Sequence, residues 1–270
     1  MTLFIQLFFL FLSIHSQQEN NFKFIKDYQI NAEYITTDQF KNIYVLNKNE
    51  IQKISFINNS IISYSNSLTG QIKSVDTSDP FRTLIYYNDF NSIVFLNNQL
   101  SEISSPVHLN DIGFYTVGAA CSSINGGFWI FDLDLYQLAY IDKNLKQTQK
   151  SASLQSMIEE LEPSQIYLTE KNEYIYLGIN GKGVYQFDTY GTFIKLFPLL
   201  DISHFQIIDN HIIYLSGNQL KIYNTLNFET ETVQLPENNV KNCRLEGATI
   251  FLLTKNRISL YNIDKLITNN

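Results

Sequence analysis

Apolar residues fill Ile43–Leu46, give way to a short polar turn, and return at Ile51–Ile54. The stretch Asn42–Ser55 (NIYVLNKNEIQKIS) is a β-hairpin by this pattern. Its opening pair recurs as Ile85–Tyr86, Phe128–Trp129, Ile175–Tyr176, Ile213–Tyr214 and Ile250–Phe251. A second run follows each one, and in several copies Asp or Asn closes it, as at Asp142, Asp188, Asn224 and Asn262. The repeat length is roughly 40 residues, the period of a four-stranded propeller blade. One hairpin cannot bury both of its faces, whereas six arranged radially can, each packing on its neighbours. The pattern predicts an all-β fold, a six-bladed β-propeller of four-stranded blades.

Candidate innermost strands precede the hairpins at Tyr34–Thr37, Ile72–Val75, Ile112–Val117, Gln165–Thr169, Phe205–Ile208 and Val240–Arg244. Outer strands give weaker signals at Ile61–Tyr64, Glu102–Ser104, Gln147–Lys150, Thr192–Leu196 and Glu229–Gln234, as a solvated side requires. The sixth repeat has almost no chain left for an outer strand, while Phe22–Tyr28 (FKFIKDY) alternates without a hairpin of its own. The N-terminal strand is predicted to close the ring as the outermost strand of the last blade, Phe22–Ile25 pairing with Ile258–Tyr261. Two segments break the repeat. Gly118–Gly127 (GAACSSINGG) reads as a lengthened connection, ligand-contacting or simply tolerated. In Ser151–Leu161, residues Leu154, Met157, Ile158 and Leu161 have helical spacing, with Ser153 or Ser156 as cap and Pro163 as stop. One short helix is predicted there, and Met157, Glu159 and Glu160 are its candidate partner contacts.

The 17 Tyr and 20 Phe suit pleated, half-buried surfaces. Net charge is −7 with no Lys/Arg run, which argues against nucleic acid and against a polybasic membrane patch. Leu3–Leu12 (LFIQLFFLFL) is apolar but shorter than the roughly 20 residues a bilayer needs. With Ser13 and Ser16 behind it, it predicts a signal peptide over 1–16. The propeller would then occupy 17–265 and a tail 266–270, with no membrane span in the mature protein. Secretion, the periplasm or the cell surface is the expected location.

Ile35–Ser55 (ITTDQFKNIYVLNKNEIQKIS) resembles one repeat of the NHL and SMP-30/gluconolactonase propellers, through Asp38, Asn42, Ile43–Tyr44–Val45 and Ile51. The resemblance implies the fold. A lactonase of that type would hold a divalent cation with oxygen ligands at the channel mouth, and Glu33 lies where one such oxygen is expected. Glu33, Asp111 and His204 are the candidate channel-mouth residues, with His108 nearby in sequence. Lys73 and Lys241 enter the same zone and disfavour a bare dication. There is no Gly-x-Ser-x-Gly, and Gly181–Lys182–Gly183 is a hairpin turn rather than a phosphate loop. Cys121 and Cys243 fall in repeats on opposite sides of the ring, too far apart to bridge, and are expected as free thiols.

The sequence therefore reads as an exported, non-catalytic binding or protein-interaction module. It is expected to be a monomer without cofactor or metal, whose partner is a protein, peptide or glycan. The alternatives are a metal-dependent hydrolase or lactonase at the channel mouth, and a structural cell-envelope component. Convergence of Glu33, Asp111 and His204 would favour the enzyme.

Overall fold

All six opening pairs lie in the second strand of a four-stranded antiparallel sheet. The computed structural model describes residues 22–66, 69–158, 161 and 165–263. Its six sheets are the blades of a six-bladed β-propeller. Blades I to VI are numbered by their innermost strands: Tyr34–Thr37, Ile72–Asp76, Val117–Ser122, Ile166–Lys171, Phe205–Ile208 and Asn242–Glu246. The expected signal segment and C-terminal tail lie outside the described residues. Among the described residues no helix is long and apolar enough to cross a membrane.

The core is divided into six wedges, one between each pair of neighbouring blades. Second strands such as Thr83–Tyr87 and Thr249–Leu253 are buried throughout, because both faces meet a neighbour. Outer strands alternate or are open, as Ile61–Ser65 and Thr230–Gln234 show. This contrast is why their sequence signal is weak. The Asp or Asn closing a third strand shapes the turn that follows. Asp142 accepts the backbone N–H of Asn144 and Lys146 at 2.8 and 2.9 Å, and Asp188 those of Tyr190 and Thr192 at 2.9 and 2.8 Å. Asn224 accepts from Leu226 at 2.8 Å in the same way. These are Asx turns, which substitute a side-chain acceptor for a backbone one.

Ring closure follows the sequence expectation with a shifted register. The strand Phe22–Gln29 pairs antiparallel with the last strand, Arg257–Ile263, placing Phe22 opposite Ile263 and Tyr28 opposite Ile258. A bulge between Phe24 and Lys26 takes Ile25 out of the ladder. Phe22 packs into the wedge between blades V and VI, while Tyr28 and Ile30 pack into that between VI and I. Lys26 Nζ and Tyr28 Oη donate to Asn59 Oδ1 of blade I at 2.8 and 2.7 Å.

Three expectations need correction. The outer strand of blade II is Val107–His108 rather than Glu102–Ser104, where only Glu102 makes an isolated bridge to Leu96. The innermost strand of blade III is Val117–Ser122 rather than Ile112–Val117, so half of the supposed long connection is buried sheet. Its small residues fit a tight interface: a Cβ on Gly118 would lie 2.8 Å from Ile166 Cδ1, and one on Gly127 would lie 2.1 Å from the Ile141 carbonyl oxygen. The helix over Ser151–Leu161 is also not formed among the described residues, where Gln155–Met157 make only a turn. Tertiary bonds win over helical periodicity. Ser151 N donates to the Leu138 carbonyl, Leu154 N to that of Tyr136, and Ser153 Oγ to that of Leu135. Leu154 and Ile158 are buried between blades III and IV, Met157 is exposed, and Glu159 and Glu160 lie outside the described residues.

Candidate functional site

Innermost strands begin at one mouth of the channel and end at the other. At the entry mouth, Glu33, Lys48, Lys73 and His204 line a cavity of about 120 Å³. The His204 ring stands 4.5 Å from that of Tyr34 and 5.3 Å from that of Tyr167. Glu33 and His204 thus share a wall, but Asp111 does not line it. Because blade III starts at Val117, Asp111 falls in a 3₁₀ turn, Leu109–Ile112, that follows the outer strand of blade II. His108 is in that outer strand, opposite Ser92. Among the described residues no group of three or more His, Cys, Asp or Glu side chains is arranged to hold a metal.

Desolvation, then the charges of Arg244 and Lys73, pull the His204 pKa down to about 4, so the imidazole is neutral at pH 7. The residue keeps exposed surface at the mouth, so water tempers the desolvation. A His depressed in the folded state binds its proton first in the unfolded chain. Stability conferred by neutral His204 is therefore complete above pH 6.5 and is lost as pH falls from there toward 4. The urea midpoint of the wild type is expected to fall more steeply across that window than that of His204→Gln. Parallel profiles would remove the effect.

The exit mouth is larger. Innermost-strand ends and the turns beyond them enclose about 430 Å³, and a side cleft of about 450 Å³ adjoins it through Gln39, Ser78, Glu170, Lys171 and Asn172. Most carboxylates here are committed to holding backbone. Asp38 accepts from Phe40 N, Asn42 N, Asn42 Nδ2 and Tyr44 Oη at 2.8 to 3.0 Å, which accounts for the Asp38 and Asn42 of the repeat motif. Asp76 accepts from Ser122 N of blade III at 2.9 Å, and Glu170 of blade IV from Ile124 N and Trp129 Nε1 at 3.2 and 2.9 Å. Glu246 accepts from the Thr37 hydroxyl at 2.8 Å across the closing seam. These bonds stitch neighbouring blades around the mouth.

Three large apolar side chains stand exposed on one arc of this otherwise polar rim. Phe40, Phe81 and Ile124 sit on the first turns of blades I, II and III and are 49%, 57% and 87% exposed. The two phenyl rings meet edge to face at 6.1 Å. No sequence signal pointed to these three residues, since they lie about 40 residues apart, one per repeat. Both cysteines are free. Burial raises both thiols, Cys243 to about 12, which keeps them protonated and unreactive.

No protein-family model matches the chain, and no curated protein matches it. Solved structures do. Virginiamycin B lyase from Staphylococcus aureus superposes with a TM-score of 0.60 at 12% identity, covering 90% of this chain and 99% of its own. The likeness is one of fold alone. The WD40 domain of Neurospora crassa Pan2 gives 0.54 at 11% identity, with 88% and 90% covered. A chain of a mitotic checkpoint complex gives 0.58 at 7% identity, with 98% and 99% covered. An enzyme and a WD40 domain stand side by side among these neighbours, so the propeller does not by itself decide between catalysis and binding.

Proposed function

We propose that this propeller is a non-catalytic binding module, exported by its N-terminal apolar segment, that docks a partner protein on the exit-mouth face. The observation that carries the reading is the exposed arc Phe40, Phe81 and Ile124 beside the paired cavities. Large side chains exposed together at a cleft, on turns whose backbone is held by Asp38, Asp79 and Glu170, make a rigid apolar arc with little entropy to lose on binding. Hydrolysis by a channel metal draws no comparable support, because Asp111 stands apart from Glu33 and His204. A structural role in a cell envelope would use the same face.

The double variant Phe40→Ser/Phe81→Ser tests this. Cross-linking capture from the host's exported fraction is expected to lose its principal partner at least tenfold relative to wild type. The variant's circular dichroism and urea midpoint should stay unchanged, since both rings are exposed. Equal capture by a folded double variant would defeat the proposal. Hydrogen exchange with the captured partner should slow at residues 39–42 and 78–82.

A further inference from the structure

Arg244, on the innermost strand of blade VI, lines the exit-mouth cavity. Among the described residues no carboxylate lies within 4.0 Å of its guanidinium. Its Nε is buried without a hydrogen-bond partner. Tyr34 hydrogen-bonds its side chain and Glu246 attracts it from beyond ion-pair distance, which leaves the fork without a direct counter-ion; that fork is matched by a planar anion presenting two oxygens. Apolar surface stands beside it. Tyr167 lines the same cavity, its ring held edge to face at 5.1 Å by the buried Phe205. Asp38, Asp76, Glu170, Asp209 and Glu246 line it too, the first three already accepting backbone or side-chain hydrogen bonds. Their negative charge opposes a phosphate dianion more than a singly charged ligand.

We propose that the channel is a binding site for a small organic monocarboxylate, its two oxygens on Arg244 and its apolar body against Tyr167. The cavity of about 430 Å³ suits a ligand of that size. This site lies inside the ring and does not depend on partner docking at the rim, so either can fail without the other.

Calorimetric titration of the full protein with N-acetyl-L-phenylalanine, against its neutral isostere N-acetyl-L-phenylalaninamide, tests the assignment. The acid is expected to bind at least tenfold more tightly than the amide. Arg244→Gln should reduce acid binding to the amide's level. Asp209→Asn, which removes a negative charge at an exposed position, should tighten acid binding about twofold. A hexapeptide ending in a free phenylalanine carboxylate should bind more weakly than the acid. Tighter binding would reassign the site to a polypeptide C-terminus and overturn the small-molecule assignment. Equal binding of acid and amide, full acid binding by a folded Arg244→Gln protein, or displacement of the acid by equimolar inorganic phosphate would also overturn it. Should Arg244→Gln not fold, the acid–amide contrast in the wild type and the direction of the Asp209→Asn change decide alone.

Discussion

Removing the strand Phe22–Gln29 is expected to cost about 5 kcal/mol or more and to make the protein self-associate. The strand covers the last edge of blade VI. Without it, the partly buried Phe22 and Tyr28 leave two wedges of the core, each at less than the roughly 1.5–3 kcal/mol of a fully buried apolar side chain. The ladder to Arg257–Ile263 goes as well, at about 0.5–1.5 kcal/mol per hydrogen bond. So do the bonds from Lys26 and Tyr28 to Asn59 that fasten blade VI to blade I. An uncovered edge beside Ile258 and Leu260 would template pairing between copies. Urea unfolding followed by tryptophan fluorescence, with size-exclusion chromatography for association, measures both effects. Unchanged midpoint and elution after the deletion would show that the ring closes without this strand. A synthetic peptide of the strand should restore much of the loss by adding in trans.

The second large effect is expected at Trp129, the single tryptophan of the chain. It is 1% exposed between blades III and IV, packs against Tyr140 at 5.2 Å, and donates to Glu170 Oε2 at 2.9 Å. Trp129→Ala should cost about 3–5 kcal/mol from the cavity alone. The buried Glu170 oxygen left without its donor adds about 1–3 kcal/mol. Trp129→Phe retains most of the packing and isolates the hydrogen bond, with an expected loss of about 2 kcal/mol. Circular dichroism gives the midpoints, since the fluorophore is gone. A Phe variant as stable as wild type would mean that the Glu170 bond contributes nothing. Because Glu170 also holds Ile124 N, loss of Trp129 should loosen the apolar turn of blade III and speed its amide exchange.

The architecture was legible because burial obliges every blade to repeat itself. Ile43–Tyr44 and its five counterparts must each fill a wedge between neighbours, so the pattern is written six times along the chain. Blade III was misplaced by several residues because Gly118, Ala119 and Ala120 look like a loop in isolation. Gly118 and Ala119 pack against Ile166 of blade IV and Ala120 against blade II, a long-range cause with no local mark. The same shift carried Asp111 away from the mouth. Ser151–Ile158 shows the opposite error, a true helical spacing overruled by bonds to Leu135, Tyr136 and Leu138. The docking rim and the channel arginine left no motif, since each is assembled from residues on separate blades.

The pairing of Phe22 with Ile263 also bears on how the molecule comes to exist. During synthesis the strand that closes the circle is produced before the five intervening blades, and its partner after them. It must stay unpaired while the intervening blades form, a delay that high-contact-order topologies lengthen and that leaves sticky edges open. Five exposed or charged positions in that strand, Lys23, Phe24, Ile25, Asp27 and Gln29, face water in the finished ring. Three of them are polar, a composition that keeps the waiting segment soluble until Arg257–Ile263 arrives.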